Sequence, residues 1–124
     1  MQIKKESKRN NRALGSRKEQ VAKWFLEQNG YEILGMNYRC SYGEVDIICQ
    51  KNGYIIFVEV KYRSSDKNGF PGQAVDNGKQ KKISQVARQY LYSAHLSEVK
   101  CRFDVVEILG NKIRIIENAF DYKP

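Results

Sequence analysis

Apolar residues recur at helical spacing in two segments of the chain. In residues 16–29 the apolar side chains form one stripe, and Gly30 follows as a C-terminal stop. In residues 80–95 the same spacing is kept by Ile83, Val86, Ala87, Tyr90, Leu91 and Ala94. The pattern therefore predicts two amphipathic helices, one near each end of the chain.

Five further runs have the composition of β-strands: residues 31–38, 44–51, 54–62, 102–109 and 112–117. Gly35 lies inside the first run and indicates a bulge or bend. The dipeptides Asn52-Gly53 and Gly110-Asn111 each separate two runs, and both are typical of two-residue hairpin turns. The predicted order of elements is α-β-β-β-α-β-β.

The turn at Asn52-Gly53 sets the register of the central hairpin, which places Asp46 directly opposite Glu59 and Glu44 opposite Lys61. Directly paired residues share a face of the sheet, with Cβ atoms about 4.5 to 5.5 Å apart. Alternation adds Ile48, Ile55 and Phe57 to this face, and the opposite face receives Val45, Ile47, Cys49, Ile56, Val58 and Val60. Both faces are largely apolar, so we expect both to be covered.

Two opposed carboxylates need a compensating interaction, because like charges directly opposite each other destabilise a hairpin. A Mg²⁺ ion between Asp46 and Glu59 would offset the repulsion, since Mg²⁺ is typically bound through one or two carboxylates plus substrate phosphates. Lys61 could then position a water or neutralise developing charge. The alternative is an ion pair between Lys61 and Glu44 at a solvated sheet end, with Asp46 and Glu59 splayed into water.

Two helix residues extend this candidate site. Glu19 lies along one edge of the first apolar stripe, from which it could lean toward the hairpin; the alternative is an i,i+4 pair with Lys23. Lys79 precedes Ile83 by one helical turn, so it could reach a phosphate or simply snorkel at the edge of the core. His95, the lone histidine, is expected to be structural or solvated.

Positive charge is concentrated at the N-terminus. The chain has 124 residues and a net charge of +8, and residues 1–18 contain seven basic residues and one acidic residue. We predict a basic, flexible arm over residues 1–15 and a single domain over residues 16–124. The arm either binds phosphates or is a solvated terminus. The long loop at residues 63–78 is likewise either functional or a floppy connection.

Length and composition exclude several classes of protein. The chain is too short for a two-domain enzyme. It has no apolar run that could span a bilayer and no signal-peptide stretch, so we expect a cytoplasmic protein without a membrane partner. Its three cysteines form no CxxC pair and are expected to be reduced thiols.

The spacing of the carboxylates resembles a known signature. Asp46, twelve intervening residues and then Glu59-Val60-Lys61 resemble the PD-(D/E)XK nuclease signature, which also has a helix glutamate like Glu19. The longer pattern resembles the bacterial YraN-like family, which is similar to archaeal Holliday-junction resolvases. The segments that carry it are Leu14-Gly15, Gly43–Asp46, Phe57–Lys61, Ala74-Val75, Lys79-Gln80 and Cys101–Val106. Lys18 stands where that family usually has glycine.

The resemblance implies an α/β, restriction-endonuclease-like fold with a mixed sheet of about five strands flanked by helices. It implies that Asp46 and Glu59 ligate Mg²⁺ or Mn²⁺, that Glu19 is a further ligand or holds water, and that Lys61 is the catalytic lysine. The basic residues expected to contact nucleic acid are Lys79, Arg63, Arg39, Arg12 and Arg17.

Three functions follow from this reasoning. The preferred one is a metal-dependent endonuclease acting on DNA, including branched or structured DNA. The second is a nucleic-acid-binding protein of the same fold that does not cleave, and the third is a metal-free interaction module. A four-way junction has two-fold symmetry, so a homodimer is expected by analogy with resolvases.

Overall fold

The fold is built from two helices and five strands. A computed structural model describes residues 9–63 and 75–124, with side chains from residue 17 onward. The elements are α1 (Arg9–Gln28), β1 (Glu32–Cys40), β2 (Gly43–Lys51), β3 (Tyr54–Arg63), α2 (Asn77–Ser93), β4 (Lys100–Leu109) and β5 (Lys112–Phe120). All seven predicted elements are present in the predicted order.

The five strands form one sheet in the order β1-β2-β3-β4-β5. β3 and β4 are parallel, whereas the other neighbouring strands are antiparallel. Parallel neighbours need a crossover connection, and α2 lies between β3 and β4 in the chain. The predicted α/β class, with a mixed five-stranded sheet and two helices, is confirmed.

The central hairpin turns at Asn52 and Gly53, whose φ angles are 52° and 84°. Both are positive, as a type I′ turn requires. The predicted register is observed for the five pairs nearest the turn, beginning with Lys51 and Tyr54. The predicted irregularity in β1 is also present, because the β1–β2 register shifts just before Gly35.

Both helices begin earlier than predicted. α1 begins at Arg9, so residues 9–15 of the predicted arm have helical backbone, and residues 1–8 lie outside the described residues. α2 begins at Asn77 because Asp76 caps it, its carboxylate accepting a 2.8 Å hydrogen bond from the N–H of Lys79. Apolar periodicity detects only the part of a helix that carries an apolar stripe, so it misses these first turns. Of the predicted loop, residues 64–74 also lie outside the described part.

The sheet separates two hydrophobic clusters, as its apolar faces predicted. On one face, Ala22 and Leu26 of α1 pack over a cluster that includes Ile47, Cys49, Ile56 and Val58. On the other face, Ile83 and Val86 of α2 pack over a cluster that includes Ile48, Ile55, Phe57 and Phe103. Burial of these side chains holds both helices against the sheet.

Val45 departs from the predicted alternation. We expected it beside Ile47 on the α1 side, but it packs with Ile48 on the α2 side. The change coincides with Asn37 on β1, whose φ of 54° is left-handed and interrupts the alternation of a strand. The sheet is therefore irregular where Asp46 lies.

Neither described helix has the length and apolar character needed to cross a membrane. The three cysteines are free thiols, of which Cys49 is buried and Cys40 and Cys101 are partly buried.

Candidate active site

β2 and β3 separate at Asp46. Their ladder ends with the pair Ile47 and Val58, one position before the predicted pairing of Asp46 with Glu59. Beyond that pair, Asp46 Oδ2 accepts a 2.8 Å hydrogen bond from the backbone N–H of Val60. A regular ladder would direct this N–H to a β2 carbonyl, so the carboxylate replaces a backbone partner. The ladder between β2 and β3 therefore opens at this point.

The carboxylates at this opening interact electrostatically. Burial, and next the negative charge of Glu59, raise the pKa of Asp46 to about 7. Smaller contributions in the same direction come from Glu19 and Glu44, whereas the N–H of Val60 opposes the rise. The negative charge of Glu59 thus acts on Asp46, although the two residues do not form a ladder pair.

Glu59 is buried and lies beside two lysines. Only 6% of its side chain is exposed, and its Oε2 lies 2.8 Å from Lys79 Nζ and 4.0 Å from Lys61 Nζ. The hydrogen bond to Glu59 raises the pKa of Lys79, because the carboxylate favours the charged form of the amine. The structure therefore places Lys61 and Lys79 at the carboxylate that was predicted to bind a metal.

Asn37 links α1 to the sheet beside the opening. Its Nδ2 donates hydrogen bonds to Glu19 Oε1 at 2.8 Å and to Glu44 Oε2 at 3.3 Å. Arg39 Nη2 donates to Glu44 Oε1 at 2.9 Å from the neighbouring strand position. The predicted pairing of Glu44 with Lys61 is wrong, because β2 and β3 have already separated and β1 supplies the partners of Glu44.

Glu19 contacts the sheet rather than its own helix. It binds Asn37, and within the described residues no ion pair joins it to Lys23. Sequence reasoning did not identify Asn37. The available signal was an asparagine inside a strand pattern, a residue that is depleted from strands and tolerates positive φ.

The predicted metal-ligand set is only partly assembled. In the part of the chain that the structure describes, no three His, Cys, Asp or Glu side chains are close enough to hold a metal ion together. Asp46 and Glu59 nevertheless supply two carboxylates, which is the number of protein ligands that Mg²⁺ commonly uses beside water and phosphate. Burial and the charge of Glu59 disfavour the ionised form of Asp46 and so raise its pKa, and a bound cation would favour the ionised form. Asp46 and Glu59 are therefore the two carboxylates that could hold a divalent cation, whereas Glu19 is hydrogen-bonded to Asn37.

The residues predicted to contact nucleic acid have different surroundings. Lys79 and Arg39 form ion pairs with Glu59 and Glu44, as described above. Arg17 and Arg63 are exposed. The backbone of Arg12 lies in α1, and its side chain is outside the described part of the structure. Arg17 and Arg63 are therefore surface cations available to a polyanion.

Lys18 lies over an aromatic ring near the opening. Its Nζ is 3.8 Å from the ring centroid of Tyr62, which follows Lys61 on β3. This distance allows a cation–π interaction. Tyr62 is 43% exposed, so the surface leaves room for the Lys18 ammonium group over its ring.

A separate buried cluster surrounds Asp104, which sequence reasoning missed. Its two carboxylate oxygens accept hydrogen bonds from Arg102, from the hydroxyl of Tyr31 and from the backbone N–H of Asn118, at 2.8 to 3.0 Å. Burial and the bond to Asp104 raise the pKa of Tyr31. Because both oxygens are satisfied, we interpret this cluster as structural. Its signal in the sequence was an aspartate within an apolar strand.

Glu107 is a second buried charge that the sequence analysis did not single out. It is the β4 register neighbour of Lys61, and its Oε1 accepts a 2.7 Å hydrogen bond from Arg114 Nε. Its Oε2 has no hydrogen-bond partner among the described residues. Glu107 extends a row of ionisable residues from β3 across the sheet.

A groove of about 580 Å³ lies near the C-terminal end of α2, away from the carboxylates. Its lining includes Leu91, Tyr92, His95, Cys101 and Tyr122, and none of the predicted catalytic or metal-binding residues. The candidate active site, where the interior strands β2 and β3 separate, is therefore distinct from this groove.

The fold and the site define an α/β protein with a mixed five-stranded sheet, two helices and a carboxylate pair, Asp46 and Glu59, beside two lysines. The chain belongs to the uncharacterised protein family UPF0102, which it matches over residues 18–108. This confirms the resemblance to the YraN-like family.

Curated relatives match nearly the whole chain. A UPF0102 protein of Lachnoclostridium phytofermentans is 48% identical over 113 residues, which cover 90% of this chain and 96% of the relative. A UPF0102 protein of Syntrophus aciditrophicus is 44% identical, with coverage of 90% and 91%. A UPF0102 protein of Nitrosomonas europaea is 43% identical, with coverage of 86% and 92%. The similarity to these relatives therefore extends over most of this chain.

Proposed function

We propose that this protein is a metal-dependent phosphodiesterase that cleaves DNA. The observation that carries the proposal is the placement of Asp46 and Glu59 where β2 and β3 separate, with Lys61 Nζ 4.0 Å from Glu59 Oε2. Two neighbouring carboxylates repel each other when both are ionised, and a bound cation would offset this repulsion. The resemblance to the PD-(D/E)XK signature supports the same function.

Each residue of the site has a role in this proposal. Asp46 and Glu59 hold one Mg²⁺ or Mn²⁺ ion. When bound, such an ion stabilises negative charge on phosphate oxygens and lowers the pKa of water. Lys61 orients the attacking water or offsets charge on the phosphate through its ammonium group. Glu19, held by Asn37 on the α1 side, orients a second water molecule.

The net reaction is the hydrolysis of a phosphodiester. The water oxygen forms a bond to phosphorus, and the bond from phosphorus to one bridging oxygen breaks. One proton from the water ends on the leaving oxygen, which becomes an alcohol, and the other product is a phosphate monoester.

Cations around the opening suit a nucleic-acid substrate. Exposed Arg17 and Arg63 and the ring-bound Lys18 lie on the elements that carry the site, and the basic N-terminal segment adds further charge. Such cations bind DNA phosphates by releasing counterions. The similarity to resolvases favours branched or structured DNA and a homodimer, each as part of this proposal.

A DNA-binding protein that does not cleave is the second candidate function. It is favoured by the absence of a three-residue metal cluster within the described residues and by the 2.8 Å contact through which Lys79 already neutralises Glu59. In this alternative the site carboxylates only organise basic residues for phosphate binding.

The test is a cleavage screen over duplex, flap, single-stranded and four-way DNA with Mg²⁺ or Mn²⁺. For any substrate cleaved by the parent, Asp46→Asn should reduce the rate by two or more orders of magnitude, about 3 kcal/mol at 1.36 kcal/mol per tenfold change. DNA affinity measured in Ca²⁺ should stay within a few-fold. Asp121→Asn, at an exposed position outside the site, serves as the control.

Each outcome separates the hypotheses. Undiminished cleavage by Asp46→Asn, after exclusion of a contaminating nuclease, would contradict the catalytic assignment. Tight DNA binding without cleavage by the parent would support the second candidate function. Weak binding without cleavage would support a metal-free interaction module.

A further inference from the structure

Lys79 forms an ion pair with Glu59, one of the two carboxylates that the proposed metal site requires. Its Nζ lies 2.8 Å from Glu59 Oε2, while the predicted catalytic Lys61 lies at 4.0 Å. A divalent cation bound to the same carboxylate would repel this ammonium group at short range. The contact between Lys79 and Glu59 and a metal bound at Glu59 therefore compete.

The two partners differ in what they lose when the contact breaks. Glu59 is 6% exposed and cannot regain water, so its charge needs a nearby cation. Lys79 is 44% exposed, and its long side chain can turn into solvent. Its backbone stays in place because the N–H of Lys79 is held by the Asp76 cap of α2. The geometry thus allows the ammonium group to leave while the helix stays docked.

We infer that Lys79 is a positioning residue that neutralises Glu59 in the metal-free protein and is displaced when a divalent cation binds. The inference rests on the proposed function, because it concerns the same metal site. It has two consequences. Lys79 lowers the affinity of the site for divalent cations, and its ammonium group becomes available to a substrate phosphate only when the metal is bound.

The test is calorimetric titration of the full-length protein with Mn²⁺ alone, without DNA. Lys79→Gln should bind Mn²⁺ about three- to tenfold more tightly than the parent, because the competing cation is gone. Lys79→Met, which keeps the apolar stem, should show the same gain if the glutamine variant fails to fold. Lys79→Arg retains the charge and should stay within twofold of the parent.

The matched control is Lys81→Gln. Lys81 is exposed on the same helix and forms no ion pair with the described residues, so this variant loses the same charge away from Glu59. Its Mn²⁺ affinity should stay within twofold of the parent. Thermal unfolding gives an independent measurement: without metal, Lys79→Gln should unfold at a lower temperature than the parent, and its Mn²⁺-induced increase should be larger.

Three results would overturn the inference. The first is an unchanged Mn²⁺ affinity in folded Lys79→Gln and Lys79→Met. The second is an equal gain in Lys81→Gln, which would assign the effect to net charge. The third is a parent that binds no Mn²⁺, in which case the proposed metal site fails as well. A parent that binds Mn²⁺ but cleaves no DNA refutes only the proposed function, and the affinities of the variants then decide the inference alone.

Discussion

Replacing Asp46 with asparagine should stabilise the metal-free protein, and only above acidic pH. Burial and Glu59 raise the pKa of Asp46 from 3.8 to about 7 in the folded protein. Between these values the folded protein keeps a proton that the unfolded chain has lost. The stability of the parent therefore falls as the pH rises through this window, and the full loss is present above pH 7. Asparagine has no charge to bury and avoids this loss.

The size of the effect follows from the pKa difference. A shift from 3.8 to about 7 corresponds to at most about 4 kcal/mol at 1.36 kcal/mol per pKa unit. Because local relaxation and water reduce the cost of a buried charge, we expect about half of this, about 2 kcal/mol, as the gain in unfolding free energy from Asp46→Asn at pH 8. The hydrogen bond from Val60 is retained, since the asparagine oxygen can accept it.

Urea denaturation in EDTA, followed by circular dichroism at pH 4 and pH 8, measures the effect. The difference in unfolding free energy between Asp46→Asn and the parent should be small at pH 4 and about 2 kcal/mol larger at pH 8. The exposed control Asp121→Asn should show no such change with pH. Two results would refute the reasoning: a variant that is less stable than the parent at pH 8, or a stability difference that does not change with pH. Either would mean that Asp46 does not carry a buried charge that Glu59 destabilises.

Three further predictions concern other parts of the molecule. Deleting residues 1–8, which precede α1, should make the dependence of log K on log salt for DNA binding shallower by up to about 0.9 per lost phosphate contact, and an unchanged slope would mean that the segment does not touch DNA. Asp104→Ala should cost about 3 kcal/mol of unfolding free energy, measured in urea, because it leaves the partly buried Arg102 unpaired; a loss below about 1 kcal/mol would contradict a structural role. Asn37→Val should destabilise the protein by about 2 kcal/mol because valine is strained at a φ of 54°, and Asn37→Gly should cost less by thermal unfolding. Equal losses in the two Asn37 variants would show that backbone strain is not the cause.

Local sequence features determined the elements and most of the central hairpin. Asn52 and Gly53 readily adopt positive φ angles, which favour a tight two-residue turn. That turn sets the register of the two strands that it joins. The apolar stripes likewise located both helices. These signals can be recognised in the sequence because each depends only on residues that are close together along the chain. The register also singled out Asp46 and Glu59 before any three-dimensional information was used.

Local features did not determine where the hairpin ends. The register alone continues the ladder through Asp46, but the structure stops it one pair earlier and uses the Asp46 carboxylate to bind the N–H of Val60. The positive φ of Asn37 lies on another strand, yet it coincides with the change of face at Val45. Such irregularities depend on neighbouring strands and helices, which turn chemistry does not encode.

The partners of the site residues were decided only by tertiary structure. Glu59 and Lys79 are brought together by the docking of α2, and Glu19 and Asn37 by the docking of α1. These contacts join residues 18 or more positions apart, so their distances depend on how each helix packs on the sheet rather than on local spacing. From sequence, Lys79 was a cation that could reach a phosphate. The packing of α2 brings its Nζ to 2.8 Å from Glu59 Oε2. A buried carboxylate needs a nearby cation, and the hairpin alone supplies only Lys61, whose Nζ lies 4.0 Å from the same oxygen.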